Sequence, residues 1–273
     1  MKSEEKLETL KKKIAAMKKV LIAYSGGVDS TFLLKICVDV LGRENVLAVT
    51  AISPTYQKEE IEEAKRIASE MGVKHMIIYT DEMKNDAFTS NPLQRCYFCK
   101  KELFSKLREI AEKYGIEYVL DASNKDDASD FRPGMKAARE TGIISPLMEA
   151  GITKEEIRYF SREIGLPTYD KPSQACLASR FPYGEVITEK KLKMVEEAEK
   201  FLKELGFKIV RVRHHGKLAR IEVGKEEIEK FFDEELRKKV MDKLKQIGYT
   251  WVCLDLLGYR SGSMNEEING VNN

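Results

Sequence analysis

Short apolar runs alternating with helical segments predict an α/β protein: an open parallel sheet covered on both faces, followed by a smaller α+β domain. Three observations carry this. The runs at 20–24, 46–52, 75–79 and 118–121 are short and mostly continuous rather than alternating, as strands buried on both faces are. Helical spacing fills the intervals between them. Beyond about residue 186 the order changes to a helix, two alternating strands, a helix and a last strand.

The elements follow from the residues in order. Leu7, Leu10, Ile14 and Met17 recur at steps of three and four and predict a helix over 4–18. The first strand, 20–24, runs into Ser-Gly-Gly. Phe32, Leu33, Ile36, Val40 and Leu41 predict a helix closed by Gly42. Strands at 46–52 and 75–79 flank a helix over 57–71 closed by Gly72, and a helix over 99–113 stopped by Gly115 leads to the fourth strand at 118–121. Residues 172–184, with Pro172, Pro182 and Gly184, read as a connection. In the second domain a charged helix over 188–205 ends at Gly206. Strands at 209–213 and 220–223 are joined by a turn at Gly216, and a helix over 226–246 precedes a strand at 251–256. The expected domains are therefore 1–185 and 186–273, with a polar, frayed tail after Met264.

A hydrophobic share of 42% and a charged share of 34% support a real core and exclude disorder for the bulk of the chain. Lys and Arg total 47 against 45 Asp and Glu, so the net charge of +2 argues against a nucleic-acid or membrane partner and makes any anion site local. No apolar run approaches the roughly 18 residues that cross a bilayer. Residues 1–19 show no apolar signal region, and a cytoplasmic location is expected. The five cysteines then read as thiols or metal ligands rather than disulfides.

Ser25-Gly26-Gly27-Val28-Asp29-Ser30 joins the first strand to the first sheet-covering helix. Its glycines let backbone N–H groups approach an anion, and the helix start adds partial positive charge. Ser25 and Ser30 offer hydroxyl donors to phosphate oxygens. Asp29 would repel a bare phosphate, so Mg²⁺ is expected between them. The plain alternative is a strand-to-helix turn capped by Ser30 or Asp29. Walker-type and dinucleotide glycine motifs are both absent from the sequence. The hexapeptide resembles the PP-loop of the ATP-pyrophosphatase superfamily, which implies ATP cleaved between its α- and β-phosphates and a substrate oxygen adenylated.

Cys96 and Cys99 form a C-x-x-C, and Cys176 follows far downstream. Three thiolates suit a [4Fe–4S] cube with one iron open. A zinc site normally takes a fourth protein ligand, and none of the three histidines has zinc-motif spacing to these cysteines. A redox disulfide between Cys96 and Cys99 and simple burial are the alternatives. Cys37 and Cys253 are expected to be buried. Asp126 and Asp127 follow the fourth strand, where they would hold Mg²⁺ or sit as solvated helix-start carboxylates. Arg211 and Arg213 share one strand face and suit a phosphate, with Arg180 as a third contributor; a solvated face paired with Glu222 is the alternative.

The resemblance then narrows. Ser25 to Ser30, Asp130-Phe131-Arg132-Pro133-Gly134, Ser179-Arg180-Phe181-Pro182-Tyr183-Gly184, Val210 to Arg213, Ala219-Arg220-Ile221-Glu222 and Gly258-Tyr259-Arg260-Ser261-Gly262 resemble the LarE family of sulfur transferases. The likeness covers nearly the whole chain. It implies adenylation of the carboxylates of pyridinium-3,5-biscarboxylic acid mononucleotide and replacement of oxygen by sulfur, in nickel-pincer nucleotide biosynthesis. One branch of that family sacrifices a cysteine thiol. Here that position aligns with Ala175, the position of Cys96 is usually aromatic there, and Cys99 has no counterpart. The three cysteines look like the other branch, in which a [4Fe–4S] cluster carries the sulfide. Ser25, Gly26, Gly27, Asp29 and Ser30 are thus expected at Mg–ATP, and the arginine forks of Arg180, Arg211 and Arg213 are expected at the substrate phosphate. Cys96, Cys99 and Cys176 would hold the cluster, and Asp29 and Cys176 would stand at the chemistry. The expected partner is a small nucleotide, and a homo-oligomer is compatible with the second domain. A tRNA thiolase with PP-loop and cluster, and a nonenzymatic nucleotide-binding module, are the rival readings.

Overall fold

The computed structural model describes residues 2–129, 133–172, 175–260 and 262–266. Asp130, Phe131 and Arg132 of one motif, Ser261 of another and the tail from 267 lie outside the described residues. The chain divides into two compact units, Met1–Phe88 with Gln94–Gln174, and Thr89–Leu93 with Ala175–Asn273.

In the first unit the order is α1 (Ser3–Ala15), β1 (Val20–Ala23), α2 (Val28–Leu41), β2 (Val46–Ile52), α3 (Lys58–Glu70), β3 (Lys74–Tyr79), α4 (Asp86–Thr89), α5 (Arg95–Lys113), β4 (Tyr118–Leu120), α6 (Gly134–Glu140), α7 (Pro146–Glu149) and α8 (Lys154–Glu163). The strands form one parallel sheet in the order β3-β2-β1-β4, with Val20 in register with Val46 on one side and Tyr118 on the other. Strand alternation splits the core. Val20, Ile22, Val46 and Ala48 pack with Leu10, Ile14, Phe32 and Phe160 on one face; Leu21, Leu47 and Val49 pack with Leu103, Phe104 and Leu107 on the other. Burial on both faces is why β1 and β2 read as continuous apolar runs.

Two departures from expectation matter for the site. Helix α5 begins at Arg95 rather than 99, so both Cys96 and Cys99 lie in its first turns. Cys, Tyr and Phe are weak helix formers, but Tyr97 packs against the core and outweighs that preference. The three helices between 134 and 163 have no counterpart in the sequence reading; α8 presents few apolar residues, chiefly Ile157 and Phe160.

The second unit holds α9 (Glu189–Glu204), β5 (Val210–His215), β6 (Leu218–Val223), α10 (Glu234–Ile247) and β7 (Trp251–Leu254). Strand β5 pairs antiparallel with β6, and β6 pairs parallel with β7. Val210, Val212, Ala219, Ile221 and Val223 face Ala198, Leu202, Val240 and Leu244. The sequence boundary falls at 174/175 instead of 185, because residues 175–187 are tied into this unit. Ile187 N–H donates to Thr89 O at 2.8 Å, Gly184 N–H to Asn91 O at 2.9 Å, and Asn91 Nδ2 to Pro182 O at 2.6 Å. The single helix expected over 226–246 is a 3₁₀ run, Lys225–Phe232, and then α10. Asp233 divides them as the cap of α10, accepting the Leu236 N–H at 2.7 Å.

Candidate active site

In the 3-2-1-4 strand order the direction of winding reverses between β1 and β4, and ligands bind at the carboxyl edge of such a point. The Ser25–Ser30 loop leaves β1 at that edge, and the segment 121–127 leaves β4 beside it. Gly26 has φ +70°, and a Cβ there would lie 2.8 Å from Ala64 Cβ on α3. Glycine is required on both counts. Helix α2 starts at Gly27 with no side-chain cap, which leaves its first amides for an anion. The two serine hydroxyls meet at 3.0 Å, and three further hydrogen bonds within the loop are long. Ser25 N–H reaches Ser30 Oγ at 3.3 Å, Gly27 N–H reaches Ser25 Oγ at 3.4 Å, and Ser30 Oγ donates to Gly27 O at 3.3 Å. Contacts of this length are weak and readily exchanged for phosphate oxygens.

Asp29 lies in the first turn of α2. Lys154 Nζ donates to its Oδ1 and Oδ2 at 2.7 and 2.8 Å, and Asn124 Nδ2 lies 3.5 Å from Oδ2. A cation therefore already rests on the carboxylate, so the residues present fit a site for positive charge. Lys154 is the first residue of α8, whose cap Thr153 forms a reciprocal capping box with Glu156. Burial works to raise the Glu156 carboxyl, but Lys6, the Thr153 N–H and Ser3 outweigh it and hold it down at about 2. Lys171 Nζ donates to Gly26 O at 3.2 Å and to Glu63 Oε2 at 2.6 Å, clasping the loop to α3. Sequence reasoning missed both lysines. The Thr153-x-x-Glu156 box was the signal that could have found α8. Asp126 and Asp127 serve the backbone: Asp126 Oδ2 accepts the Lys154 N–H at 2.8 Å and Asp127 Oδ2 accepts the Asn124 N–H at 3.0 Å.

Cys96 is exposed and Cys99 half-buried, three residues apart on α5. That spacing puts both thiols on one side of the helix. Cys176, half-buried, precedes the 3₁₀ turn Leu177–Arg180 in the second unit. Among the described residues no three His, Cys, Asp or Glu side chains are grouped to hold a metal ion. Cys37 is buried, as expected, and burial raises its thiol. Cys253 is exposed instead of buried, because strand alternation sets it opposite Val252 and Leu254, which face the core of β7.

The arginines of the second unit are placed differently from one another. Arg180 is 0% exposed; its Nε and Nη2 donate to Glu199 Oε1 and Oε2 at 2.8 and 3.0 Å, and its Nη1 to Ala175 O, Cys176 O and Ser179 Oγ. Its donors are committed within the unit, so this guanidinium is a buried strut rather than an arm presented to a phosphate. Burial pushes the Glu199 carboxyl up, and the Arg180 charge overrides it and keeps the group ionised. Arg211 and Arg213 do share one face of β5, opposite Glu222 and Arg220 of β6. That face is buried rather than solvated. Arg213 Nη2 donates to Glu222 Oε2 at 2.7 Å and to Ser263 Oγ at 2.9 Å, while Arg211 lies 5.1 Å over the Tyr259 ring.

Residues 2–116 match the NAD synthase family. A glycine loop leading into an uncapped helix at the switch point of a parallel sheet, with that match, defines the class: a PP-loop ATP pyrophosphatase, an ATP-dependent enzyme. Over 263 residues, 96% of this chain and 95% of its relative, the sequence is 39% identical to pyridinium-3,5-bisthiocarboxylic acid mononucleotide synthase of Lactiplantibacillus plantarum. The chain belongs to that family, LarE, and is a sulfurtransferase of the PP-loop superfamily. It is also 47% identical over 265 residues to an uncharacterized protein of Synechocystis, covering 97% of this chain and 98% of that one. An uncharacterized protein of Methanocaldococcus jannaschii is 32% identical over 244 residues, 89% of this chain and 92% of its own length. No helix among the described residues is long and apolar enough to cross a membrane.

Proposed function

We propose that this enzyme acts on pyridinium-3,5-biscarboxylic acid mononucleotide, adenylating its carboxylates with ATP and replacing carboxylate oxygen by sulfur, in the cytoplasm and on the path to a nickel-pincer nucleotide. The observation that carries the reading is the Ser25–Ser30 loop, open at the sheet edge with Asp29 at the helix start, in a chain similar along its whole length to a synthase of the bisthiocarboxylic product.

The roles follow from the chemistry of the side chains. Ser25, Ser30 and the amides after Gly27 bind the pyrophosphate half of ATP and hold it as it leaves. Asp29 would hold Mg²⁺, which when bound would spread the charge on the leaving oxygens. Arg211 and Arg213 bind the substrate phosphate and orient the carboxylate; unlike Arg180, Arg213 keeps a buried Nε that has no hydrogen-bond partner among the described residues. Arg180 supports the turn next to Cys176. Cys96 and Cys99, one helical turn apart, would supply two thiolates to a [4Fe–4S] cluster and Cys176 a third. Such a cluster, when bound, would supply sulfur at the sulfide level to the activated carboxylate.

The test is ATP turnover with and without the mononucleotide. Pyrophosphate and AMP should form only with the substrate present, and with sulfide supplied each product carboxylate should gain the mass difference between sulfur and oxygen. Pyrophosphate released at the same rate without the mononucleotide would reject this substrate.

A further inference from the structure

Two lysines reach the nucleotide loop, and their partners differ. Lys171 is satisfied by Glu63 and the Gly26 carbonyl. Lys154 places its ammonium on both oxygens of Asp29. A lysine in the first turn of a helix is disfavoured by the helix dipole, and the rest of this turn is acidic, with Glu155 and Glu156. Lys154 is nonetheless held firmly. Its N–H is bonded to Asp126, and α8 is fastened to α1 through Glu156 with Ser3 and Lys6. Both members of the pair keep some solvent exposure, 28% and 22% of their side chains, so the contact can be exchanged.

We propose that Lys154 is the resident counter-cation of Asp29. It neutralises the carboxylate while no nucleotide is bound and repels a divalent cation arriving alone. It yields the carboxylate when metal and nucleotide arrive together, turning its ammonium to the phosphate oxygens on its flexible four-carbon stem. The proposal rests on the reading of Asp29 as a magnesium ligand. Its consequence is order: the loop takes its metal with ATP and discriminates against the free ion.

Mn²⁺ is a suitable probe, because its unbound fraction is counted directly by electron paramagnetic resonance. Without nucleotide, Lys154→Met should bind Mn²⁺ about tenfold more tightly than the parent, the scale of one charge-assisted contact. Lys154→Arg should restore the parent's weak binding, and Asp29→Ala in the Lys154→Met background should remove the gain. With nucleotide, Mn–ATP binding should weaken in Lys154→Met. A purely structural role would weaken both. Lys154→Gln carries the same test if the apolar replacement disturbs folding. If Lys154→Met binds free Mn²⁺ no more tightly while Asp29→Ala still impairs Mn–ATP binding, the counter-cation role is overturned and the metal role of Asp29 stands. Should Asp29→Ala bind Mn–ATP as the parent does, the metal role falls and the counter-cation role with it.

Discussion

Gly26 and Ala64 leave no room for a carbon between them: a Cβ on Gly26 would lie 2.8 Å from Ala64 Cβ and 3.0 Å from Ala64 Cα. The nucleotide loop is thus moulded against α3, and its shape depends on a residue 38 positions away in sequence.

Gly26→Ala should therefore cost about 2–4 kcal/mol, from overpacking together with a left-handed φ on a residue with a side chain. Calorimetric melting would measure the loss, and ATP affinity should fall with it. Trimming the neighbour, in Gly26→Ala with Ala64→Gly, should recover part of the stability. A variant as stable as the parent would show that the loop does not touch α3.

Arg180 and Glu199 form a pair with neither side chain exposed. Removing one partner strands the other charge, so Arg180→Ala should cost about 3–5 kcal/mol in urea unfolding. Replacing both by apolar residues should cost less. Unchanged stability in Arg180→Ala, with substrate binding lost, would return Arg180 to the substrate phosphate.

Replacing Arg211 or Arg213 by Ala should weaken the mononucleotide by about tenfold to a hundredfold, while ATP affinity changes little. Calorimetric titration of each ligand separates the two. Equal losses for both ligands would mean that the β5 face only supports the fold.

His214 lies in the core of the second unit, its Nδ1 3.2 Å from the Tyr249 hydroxyl. Burial first, and then the nearby Lys191 charge, lower it to about 4. The unfolded chain takes up a proton near pH 6.5, whereas the folded one resists until about pH 4. The stability contributed by the neutral ring is therefore full above pH 6.5 and is lost as pH falls from there toward the folded value. His214→Phe should flatten the stability profile between those two pH values. An identical slope in the variant would assign the acid sensitivity elsewhere.

Elements with a one-dimensional signature were legible in the sequence. Strand β2 matches the seven residues expected of it, apolar but for Thr50, and the loop glycines mark the turn after β1. The two arginines of β5 share a face because strand alternation is strict. Long-range ion pairs leave no such trace. Lys154 meets Asp29 across 125 residues, and Glu199 meets Arg180 from a helix that the sequence shows only as strongly charged. The sequence could name the charges but not their partners. The same limit hid the start of α5, where packing of Tyr97 decides what propensity leaves open.

The intact mass of the protein after more turnovers than chains present is the most direct test of cluster-borne sulfur transfer. With ATP, Mg²⁺, the mononucleotide and excess sulfide under anaerobic conditions, product should exceed one sulfur per chain and the polypeptide mass should stay unchanged. Product that stops at one sulfur per chain, with H₂S lost from Cys176, would contradict the cluster reading and make that thiol the sulfur donor.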